Sequence, residues 1–437
     1  MAGKKYDAIV IGAGMGGMCA AARLTAAGMR ALVVEKSPYL GGRCSHRQRG
    51  PYVVTTGAIM VPMAKTSAIG EAFASVDAEM NMIETTGRMR YRLPHGDYDL
   101  PPTGGGLLGM IEFGFEGDAS KAGALFEHIR EALADIPGDN LTFRDWLDLH
   151  TDNDNIKNLF QGFCAALMGT NLHEIPAGEF FRFLKYSSRG SRFGLAAGGN
   201  GELMETLGKA IEAKGSEIRR HTACHSIAVD NHRATGVVIR SDGAEELVQA
   251  DYVLSNTGPV RTIELCGGRE LFDAPYLQQL DASPHDAPIF HVSFVLDEPL
   301  IEGFDGSLVF GNNKNLIYLE IPSIISPQLA ADGKFLHTAY GAPRDAANAD
   351  LKAELATTIR ELEENFPGQM SNAKYLVRAR HSGQAPGMHR WAGHMMPVGT
   401  PIRHLYNVGD GSTSPGTIGT EGAASSAREA ATRIVSP

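Results

Sequence analysis

The stretch YDAIVIGAGMGG, residues 6–17, decides the fold of this 437-residue chain. Its first six residues form a short, nearly continuous apolar run, as expected for a central strand of a parallel sheet. A glycine-rich turn follows, and the Ala-rich segment after it predicts a helix from about Met15 to Ala27. A second apolar run, RALVVE over residues 30–35, predicts the next strand. The chain therefore opens with a strand–helix–strand unit, which indicates a Rossmann-like α/β fold.

The glycines of the turn follow the pattern G-x-G-x-x-G, which is typical of dinucleotide-binding sites. Gly12 permits the tight turn, Gly14 lets the backbone approach a pyrophosphate, and Gly17 lets the helix pack closely on the strand. Glu35 ends the second strand about 20 residues later, where a carboxylate can bind a pair of ribose hydroxyls. The residues predicted to hold the dinucleotide here are Gly12, Ala13, Gly14, Met15, Gly16, Gly17, Glu35 and Lys36.

Two further segments favour FAD over NAD as the dinucleotide. Residues 41–43 (GGR) can place backbone amides and a cation near the pyrophosphate. Near the C-terminus, residues 405–409 predict a strand, and the acid that follows it can bind the ribityl hydroxyls of a flavin. Residues 414–419 then enter a helix whose N-terminus can place positive potential beside the flavin ring. The flavin-side residues predicted from these segments are Gly42, Arg43, Gly409, Asp410, Thr417 and Ile418.

Composition excludes several other classes of protein. The net charge of −10 repels phosphate backbones, so no nucleic-acid partner is expected. The five cysteines are widely spaced and form no C-x-x-C pair, so we expect neither a disulfide framework nor a metal site. No uncharged apolar stretch reaches the ~18 residues of a transmembrane segment, and no signal peptide is recognisable. The predicted location is cytoplasmic, with peripheral contact to a membrane surface left open.

The length predicts two domains, because one ordinary core does not accommodate 437 residues. Residues 1–62, 190–285 and 396–437 carry the dinucleotide motifs and are assigned to a Rossmann-like FAD-binding domain. Residues 63–189 are predicted to be mostly helical and irregular, and residues 286–395 contain several strand-like runs. Together these two segments predict a discontinuous α+β substrate-binding domain, with a mixed or antiparallel sheet plus helices.

With these motifs the chain resembles the flavoprotein family that includes phytoene desaturases, retinol saturases, carotenoid isomerases and flavin amine oxidases. Residues 197–201 (AGGNG), which precede a predicted helix, are similar to the P-x-G-G-x-G segment of that family. Residues 222–227, with the hairpin that follows and residues 250–253, also follow its pattern. The resemblance spans nearly the whole chain and is sharpest over residues 6–62, 196–258 and 397–432.

The resemblance implies further contacts with FAD. By it, the backbone of Cys224 faces the adenine, and Gly57, Ala58 and Ile59 lie beside the isoalloxazine. Thr55 departs from the family, since phytoene desaturases usually carry an aspartate at the matching position. The chain is also shorter than most phytoene desaturases, which argues against a tunnel for a very long polyene.

The chemistry expected from these features is oxidation of a small organic substrate by non-covalent FAD. No second G-x-G-x-x-G follows a strand, so a built-in NAD(P)H site is not expected, and electrons pass from the substrate to oxygen, a quinone or another acceptor. The predicted function is a desaturase, dehydrogenase or oxidase that forms a C=C bond in an apolar isoprenoid or alicyclic substrate, ketones included, by hydride transfer to flavin N5. The alternatives are a flavin amine oxidase, a redox-neutral isomerase or hydratase, and a non-enzymatic prenyl-binding relative.

Polar residues crowd the segment just before the C-terminal strand, and they supply the catalytic candidates. His389 or His394 can act as the general base, since neutral histidine commonly removes a proton next to a carbonyl. Trp391 lies between them and, with Tyr406, could form the aromatic cage of an amine oxidase. The competing interpretation of this segment is a surface loop of polar residues.

Overall fold

A computed structural model shows a mixed α/β molecule whose described part contains two seven-stranded sheets and two smaller ones. The predicted combination of a Rossmann-like α/β unit with a mixed sheet and helices is confirmed. No helix in the described ranges is long and apolar enough to cross a membrane. The structure describes residues 5–63, 65–101, 106–188, 192–241, 243–283, 286–302, 305–383 and 385–436.

The elements follow one another along the chain with short connections. The strands are β1 (Lys5–Ile11), β2 (Ala31–Val34), β3 (His46–Arg49), β4 (Tyr52–Thr55), β5 (Val61–Pro62), β6 (Met82–Glu84), β7 (Met89–Leu93), β8 (Gly96–Leu100), β9 (Phe193–Ala196), β10 (Glu217–Arg219), β11 (Ala223–Asp230), β12 (Arg233–Ser241), β13 (Ala244–Ser255), β14 (Ile289–Leu296), β15 (Leu308–Phe310), β16 (Leu316–Glu320), β17 (Phe335–Gly341), β18 (Lys374–His381) and β19 (Leu405–Asn407). The helices are α1 (Met15–Ala26), α2 (Ala68–Ser75), α3 (Gly106–Gly114), α4 (Ala119–Ala134), α5 (Phe143–Asp148), α6 (Asp154–Phe163), α7 (Ala177–Ser187), α8 (Asn200–Ala213), α9 (Pro259–Leu265), α10 (Ala274–Asp281), α11 (Pro322–Ile325), α12 (Leu351–Asn365) and α13 (Gly419–Val435).

The first large sheet has the strand order β10-β2-β1-β13-β12-β11, with β19 also paired to β13. Strands β10, β2, β1, β13 and β19 are parallel, whereas β12 and β11 form an antiparallel extension. Ala8 and Val10 of β1 pack under α1 and α13, and Ile9 and Ile11 pack into a second core on the opposite face. Burial on both faces explains why β1 is apolar almost throughout.

The second large sheet has the order β18-β14-β17-β16-β15-β7-β8 and is antiparallel except where β15 meets β7. One of its faces packs against α12 through an apolar cluster that includes Val292, Phe294 and Leu362. Strands β7 and β8 form a hairpin within the region that was predicted to be mostly helical and irregular. That prediction was wrong for residues 89–100.

The predicted domain division can be compared with the sheets, although it stays a prediction. The first large sheet takes its strands from residues 1–62, 190–285 and 396–437, and the second takes its strands from residues 63–189 and 286–395. The three-stranded sheet β5-β9-β6 contains strands from both sides of the predicted boundary.

Candidate cofactor and substrate site

The glycine-rich turn after β1 packs directly against the C-terminal segment that follows β19. A Cβ on Gly16 would lie 2.6 Å from the backbone nitrogen of Gly409, and one on Gly17 would lie 2.1 Å from the carbonyl oxygen of Gly12. Only glycine is compatible with such close approach. The two motifs that were predicted from opposite ends of the chain are therefore neighbours in the fold.

The first turn of α1 is open to an anionic ligand. Gly14, its N-cap residue, has no side chain to accept from the amides that follow, so these amides are free to face a phosphate. The predicted neighbour loop lies beside this turn: Gly41 N donates to Ala13 O at 2.7 Å, and a Cβ on Gly42 would lie 3.7 Å from the Cα of Gly14. This cradle of exposed amides and side-chain-free backbone fits a pyrophosphate.

Asn256, which the sequence analysis missed, organises the same turn. It follows β13, at the carboxyl edge of the parallel sheet, and a Cβ on Gly14 would lie 2.6 Å from its amide nitrogen. With the amide oriented to satisfy its hydrogen bonds, Asn256 donates to Val408 O and accepts from Gly14 N at 3.2 Å. The only signal in the sequence was a polar residue directly after a buried parallel strand, a position where ligands commonly bind.

Glu35 is buried and is fixed by two backbone amides. Its carboxylate oxygens accept from Ala13 N and Ser37 N, each at 2.8 Å, which leaves further lone pairs for hydroxyl groups. Its carbonyl oxygen accepts from Thr222 N at 2.8 Å, so the chain that leads into β11 and to Cys224 runs beside it. Lys36 is exposed. The arrangement fits a ribose between Glu35 and the backbone near Cys224.

Arg43, Asp410 and His389 form one cluster at the other end of the candidate cofactor site. Two guanidinium nitrogens of Arg43 donate to the two carboxylate oxygens of Asp410, both at 2.7 Å. His389 Nδ1 lies 2.8 Å from Asp410 Oδ1 and 3.0 Å from Arg43 Nη2, and His389 N donates to Asp410 Oδ2 at 3.1 Å. Burial disfavours the ionised carboxyl, but Arg43 and His389 outweigh it and hold the pKa of Asp410 well below its usual range.

This cluster differs in part from the prediction. Arg43 was predicted near the pyrophosphate, whereas its side chain binds Asp410 and also donates to the carbonyl of Gly387 at 2.5 Å. The side chain of Asp410 is 11% exposed, so the ion pair lies largely out of water. The predicted roles of both residues toward FAD stay predictions.

The predicted isoalloxazine segment is held from three sides. A Cβ on Gly57 would lie 2.7 Å from Arg43 O, and Ala58 N donates to the same carbonyl at 2.9 Å. Asn200, at the start of α8, donates to Ala58 O at 2.8 Å and to Ile59 O at 3.0 Å. The hydroxyl of Tyr340 on β17 donates to the carbonyl of Gly57. Residues 57–59 therefore join the cofactor cluster to the second large sheet.

Thr417 and Ile418 precede α13, as predicted. Thr417 is 6% exposed and its hydroxyl donates to Ser414 O at 2.6 Å. Ile418 is the N-cap residue of α13 and offers no side-chain acceptor, so the first amides of this long helix remain available. Gly416 N donates to the buried carboxylate of Glu179 at 2.8 Å, which fixes the turn against α7.

The polar segment before β19 is divided by Arg390. This buried guanidinium donates to Leu280 O and Ser283 O, both at 2.7 Å, and so turns the chain away from the cluster after His389. Trp391 and His394 lie in the following turn, with their rings edge to face 5.9 Å apart. Burial lowers the pKa of His394, and a bond to the backbone of Glu174 only partly offsets this. Of the three predicted catalytic residues, the structure brings His389 to Arg43 and Asp410.

A polar face of the second large sheet lies beside residues 57–59. The side chains on this face come from neighbouring positions of β14, β16 and β17, because directly paired residues share a face. His291 Nε2 and Ser293 Oγ are 2.8 Å apart, and Ser293 Oγ and Thr338 Oγ1 are 3.1 Å apart. We call this the polar sheet face and define it by His291, Ser293, Tyr318, Glu320, Thr338 and Tyr340. It could contact polar groups of a substrate.

Known proteins resemble the chain over nearly its whole length. Residues 15–435 match the model of the family described as flavin containing amine oxidoreductase. The chloroplastic prolycopene isomerase of Arabidopsis thaliana is 24% identical over 93% of this chain and 79% of its own length. A phytoene desaturase of Cercospora nicotianae is also 24% identical, over 76% of this chain and 60% of its own length. The crystal structure of an oxidoreductase from Methanosarcina mazei superposes with a TM-score of 0.86 at 24% identity, covering 98% of this chain and 99% of that one.

Proposed function

Because the chain belongs to the family of flavin-containing amine oxidoreductases and binds FAD, we propose that it is a dehydrogenase or oxidase that forms a C=C bond in an alicyclic or isoprenoid substrate. The observation that carries this proposal is the contact of His389 with Asp410 and Arg43. A carboxylate that orients a histidine is the usual support of a general base. Removal of a proton next to an activating group is the step for which C=C formation needs such a base.

The residues of the chain divide the task. FAD accepts a hydride at N5, so the protein must hold a C–H bond of the substrate near it and exclude water. The amides at the start of α1 and Glu35 hold the pyrophosphate and a ribose, while Asp410 and the start of α13 face the ribityl chain and the flavin ring. The polar sheet face and the apolar helices α3–α7 then enclose the substrate. In this proposal His389 takes the proton.

The amine oxidase alternative gains no support from the contacts of Tyr406 and Trp391. The ring of Tyr406 lies 6.5 Å from that of Tyr252 and packs against the core under α1 and α13, whereas Trp391 is edge-on to His394. The prolycopene isomerase among the relatives keeps a redox-neutral reaction as an outcome of the test rather than a second proposal.

Anaerobic mixing of the FAD-loaded protein with candidate substrates tests the proposal. Cyclic ketones or isoprenoids are expected to bleach the flavin absorbance near 450 nm and yield a product with one more C=C bond, about 10 nm being enough to resolve the flavin band from an enone. NADH and NADPH are expected to bleach it slowly or not at all, since no second nucleotide motif was found in the sequence. Bleaching by amines alone would establish the amine oxidase instead, and isomerised product without net bleaching would establish the redox-neutral reaction.

Substitution of Glu35 by alanine is expected to weaken FAD binding tenfold to a hundredfold. The loss of a charged hydrogen-bond partner costs ~1.5–3 kcal/mol, which corresponds to roughly that change in Kd. Glu35→Gln keeps one oxygen for the amides of Ala13 and Ser37 and should lose less. FAD titration into the apoprotein, followed by quenching of flavin fluorescence, measures the effect. Glu298→Ala removes an exposed carboxylate and serves as the control; equal Kd values for all four proteins would contradict the assignment.

A further inference from the structure

Glu320 is a buried acid with an unused oxygen on the polar sheet face. It ends β16 and is 1% exposed. Its Oε2 accepts from the hydroxyl of Tyr318 at 3.0 Å, whereas its Oε1 has no hydrogen-bond partner among the residues that the structure describes. A buried polar atom without a partner is unfavourable and calls for a ligand or a function.

A buried carboxyl with a purely structural role looks different in this same molecule. Glu361 on α12 caps the start of β16: its two oxygens accept from the backbone nitrogens of Lys314, Asn315 and Leu316 at 2.6–2.9 Å. Both oxygens of Glu361 are thereby used. Glu320 makes no backbone bond of this kind through its free oxygen, so stabilisation of the fold does not account for it.

Glu320 lies close to the predicted flavin ring segment. The rings of Tyr318 and Tyr340 are 6.4 Å apart on adjacent strands, and Tyr340 reaches the carbonyl of Gly57 through its hydroxyl. Glu320 acts electrostatically on both phenols, which places it within their immediate surroundings. A substrate that touches residues 57–59 and extends along this face would meet Glu320.

The charges around Glu320 favour a neutral carboxyl. Burial raises the pKa of Glu320 to about 8; the hydrogen bond from Tyr318 lowers it and the nearby Asp305 carboxylate raises it. Tyr340 is the remaining titratable neighbour on this face, and its phenol is itself neutral because burial raises its pKa. Below pH 8 the carboxyl therefore carries a proton that it can donate, and above pH 8 that donor is lost.

We propose that Glu320 binds the substrate by donating a hydrogen bond from its free carboxyl oxygen to a carbonyl oxygen. The inference rests on the proposed function and narrows its substrate class to ketones or other carbonyl compounds with an apolar, alicyclic or isoprenoid skeleton. A plain hydrocarbon would leave Glu320 unpartnered. A donor at the carbonyl oxygen also favours removal of the adjacent proton, because negative charge develops on that oxygen.

Binding of cyclohexanone to the FAD-loaded protein tests the proposal without turnover. Perturbation of the flavin absorbance reports the Kd at pH 6.5 and pH 9.5. We expect wild type to bind about tenfold to a hundredfold more weakly at pH 9.5, in line with the loss of one hydrogen bond to a buried group. Glu320→Gln keeps an N–H donor of similar size, so its Kd should be near the wild-type value at pH 6.5 and should not change with pH. Glu320→Leu should bind weakly at both pH values.

FAD content and thermal unfolding show whether each variant is folded, and Glu320→Gln keeps the test usable if Glu320→Leu is not. The proposal is overturned if Glu320→Gln shows the wild-type pH dependence, or if no ketone perturbs the flavin of the wild-type protein. Cyclohexylamine binding that is lost in Glu320→Gln would also overturn it, by indicating an ammonium site. If ketones bind as expected but no carbonyl compound bleaches FAD anaerobically, the proposed function fails and the Glu320 site stands.

Discussion

Replacing His389 with asparagine is expected to slow anaerobic flavin reduction by about 10²–10⁴-fold, the usual range for a lost general base, while FAD stays bound. The shorter of the two contacts at Nδ1, 2.8 Å to Asp410, favours a proton on Nδ1 that it donates to the carboxylate. Nε2 is then the acceptor for the substrate proton. Asparagine can keep a bond to Asp410 but cannot accept a proton at that position. Stopped-flow absorbance with the substrate identified by anaerobic bleaching measures the rate.

Two other histidines sharpen this experiment. His394→Asn addresses the second predicted base, whose ring bonds the backbone of Glu174 beside Trp391 rather than the Arg43 cluster. His232→Asn is a surface control at a turn position with a φ of 55°, which asparagine tolerates well. A rate that falls with His394→Asn and not with His389→Asn would reverse the assignment. Wild-type rates in both variants would mean that C–H cleavage needs no histidine from this segment.

The part of the site that is local in sequence was predictable. The turn from Gly12 to Gly17, the strand that ends at Glu35 and the start of α13 were read from periodicity and glycine spacing, and they occur where predicted. Each needs only short-range information, because the backbone geometry of a strand–turn–helix unit restricts the residues within it.

Contacts between distant segments could not be predicted in the same way. Arg43 and Asp410 were each recognised as cofactor residues, but nothing in either segment indicated that they would bind each other. Tyr340 and Glu320 lie on strands whose order in the sheet was unknown, so their position beside residues 57–59 carried no local signal. Asn200 was quoted only for its glycine-rich context, although its side chain holds the ring segment.

The hairpin β7–β8 shows a signal that was present and overlooked. Charged and apolar residues alternate along both strands, and Arg90 pairs with Asp99 while Arg92 pairs with Asp97 across them. Such cross-strand ion pairs on one face are typical of an antiparallel hairpin. Helical segments nearby led the whole region to be assigned as helical and irregular.

Removing His291 and His337 is expected to relieve the acid sensitivity of the fold by about 4 kcal/mol between pH 8 and pH 5, or about 2 kcal/mol for each histidine. Burial lowers the pKa of each to about 3, and His381 adds to the effect at His291. His337 has no room for a second proton, because its Nδ1 faces Phe335 O at 3.0 Å and its Nε2 accepts from Leu300 N at 3.1 Å. Both rings are therefore neutral in the native state.

The direction follows from the two states. An unfolded histidine takes up a proton below its ordinary pKa of about 6.5, whereas these two remain neutral in the folded protein until about pH 3. Their contribution to stability is thus fully present above pH 6.5 and is lost progressively as the pH falls toward 3. Glu320 works in the opposite direction, since its pKa is raised to about 8. The wild-type pH dependence alone is therefore a mixture of opposing effects.

A comparison of variants isolates the histidines, because Glu320 titrates equally in all of them. Urea unfolding of wild type, His291→Gln, His337→Gln and the double variant at pH 8 and pH 5 gives the change in unfolding free energy with pH for each. Relative to wild type, that change should be less destabilising by about 2 kcal/mol in each single variant and by about 4 kcal/mol in the double variant. His232→Asn should keep the wild-type dependence. A double variant as acid-sensitive as wild type would show that the two histidines are protonated, or hydrated, in the folded state.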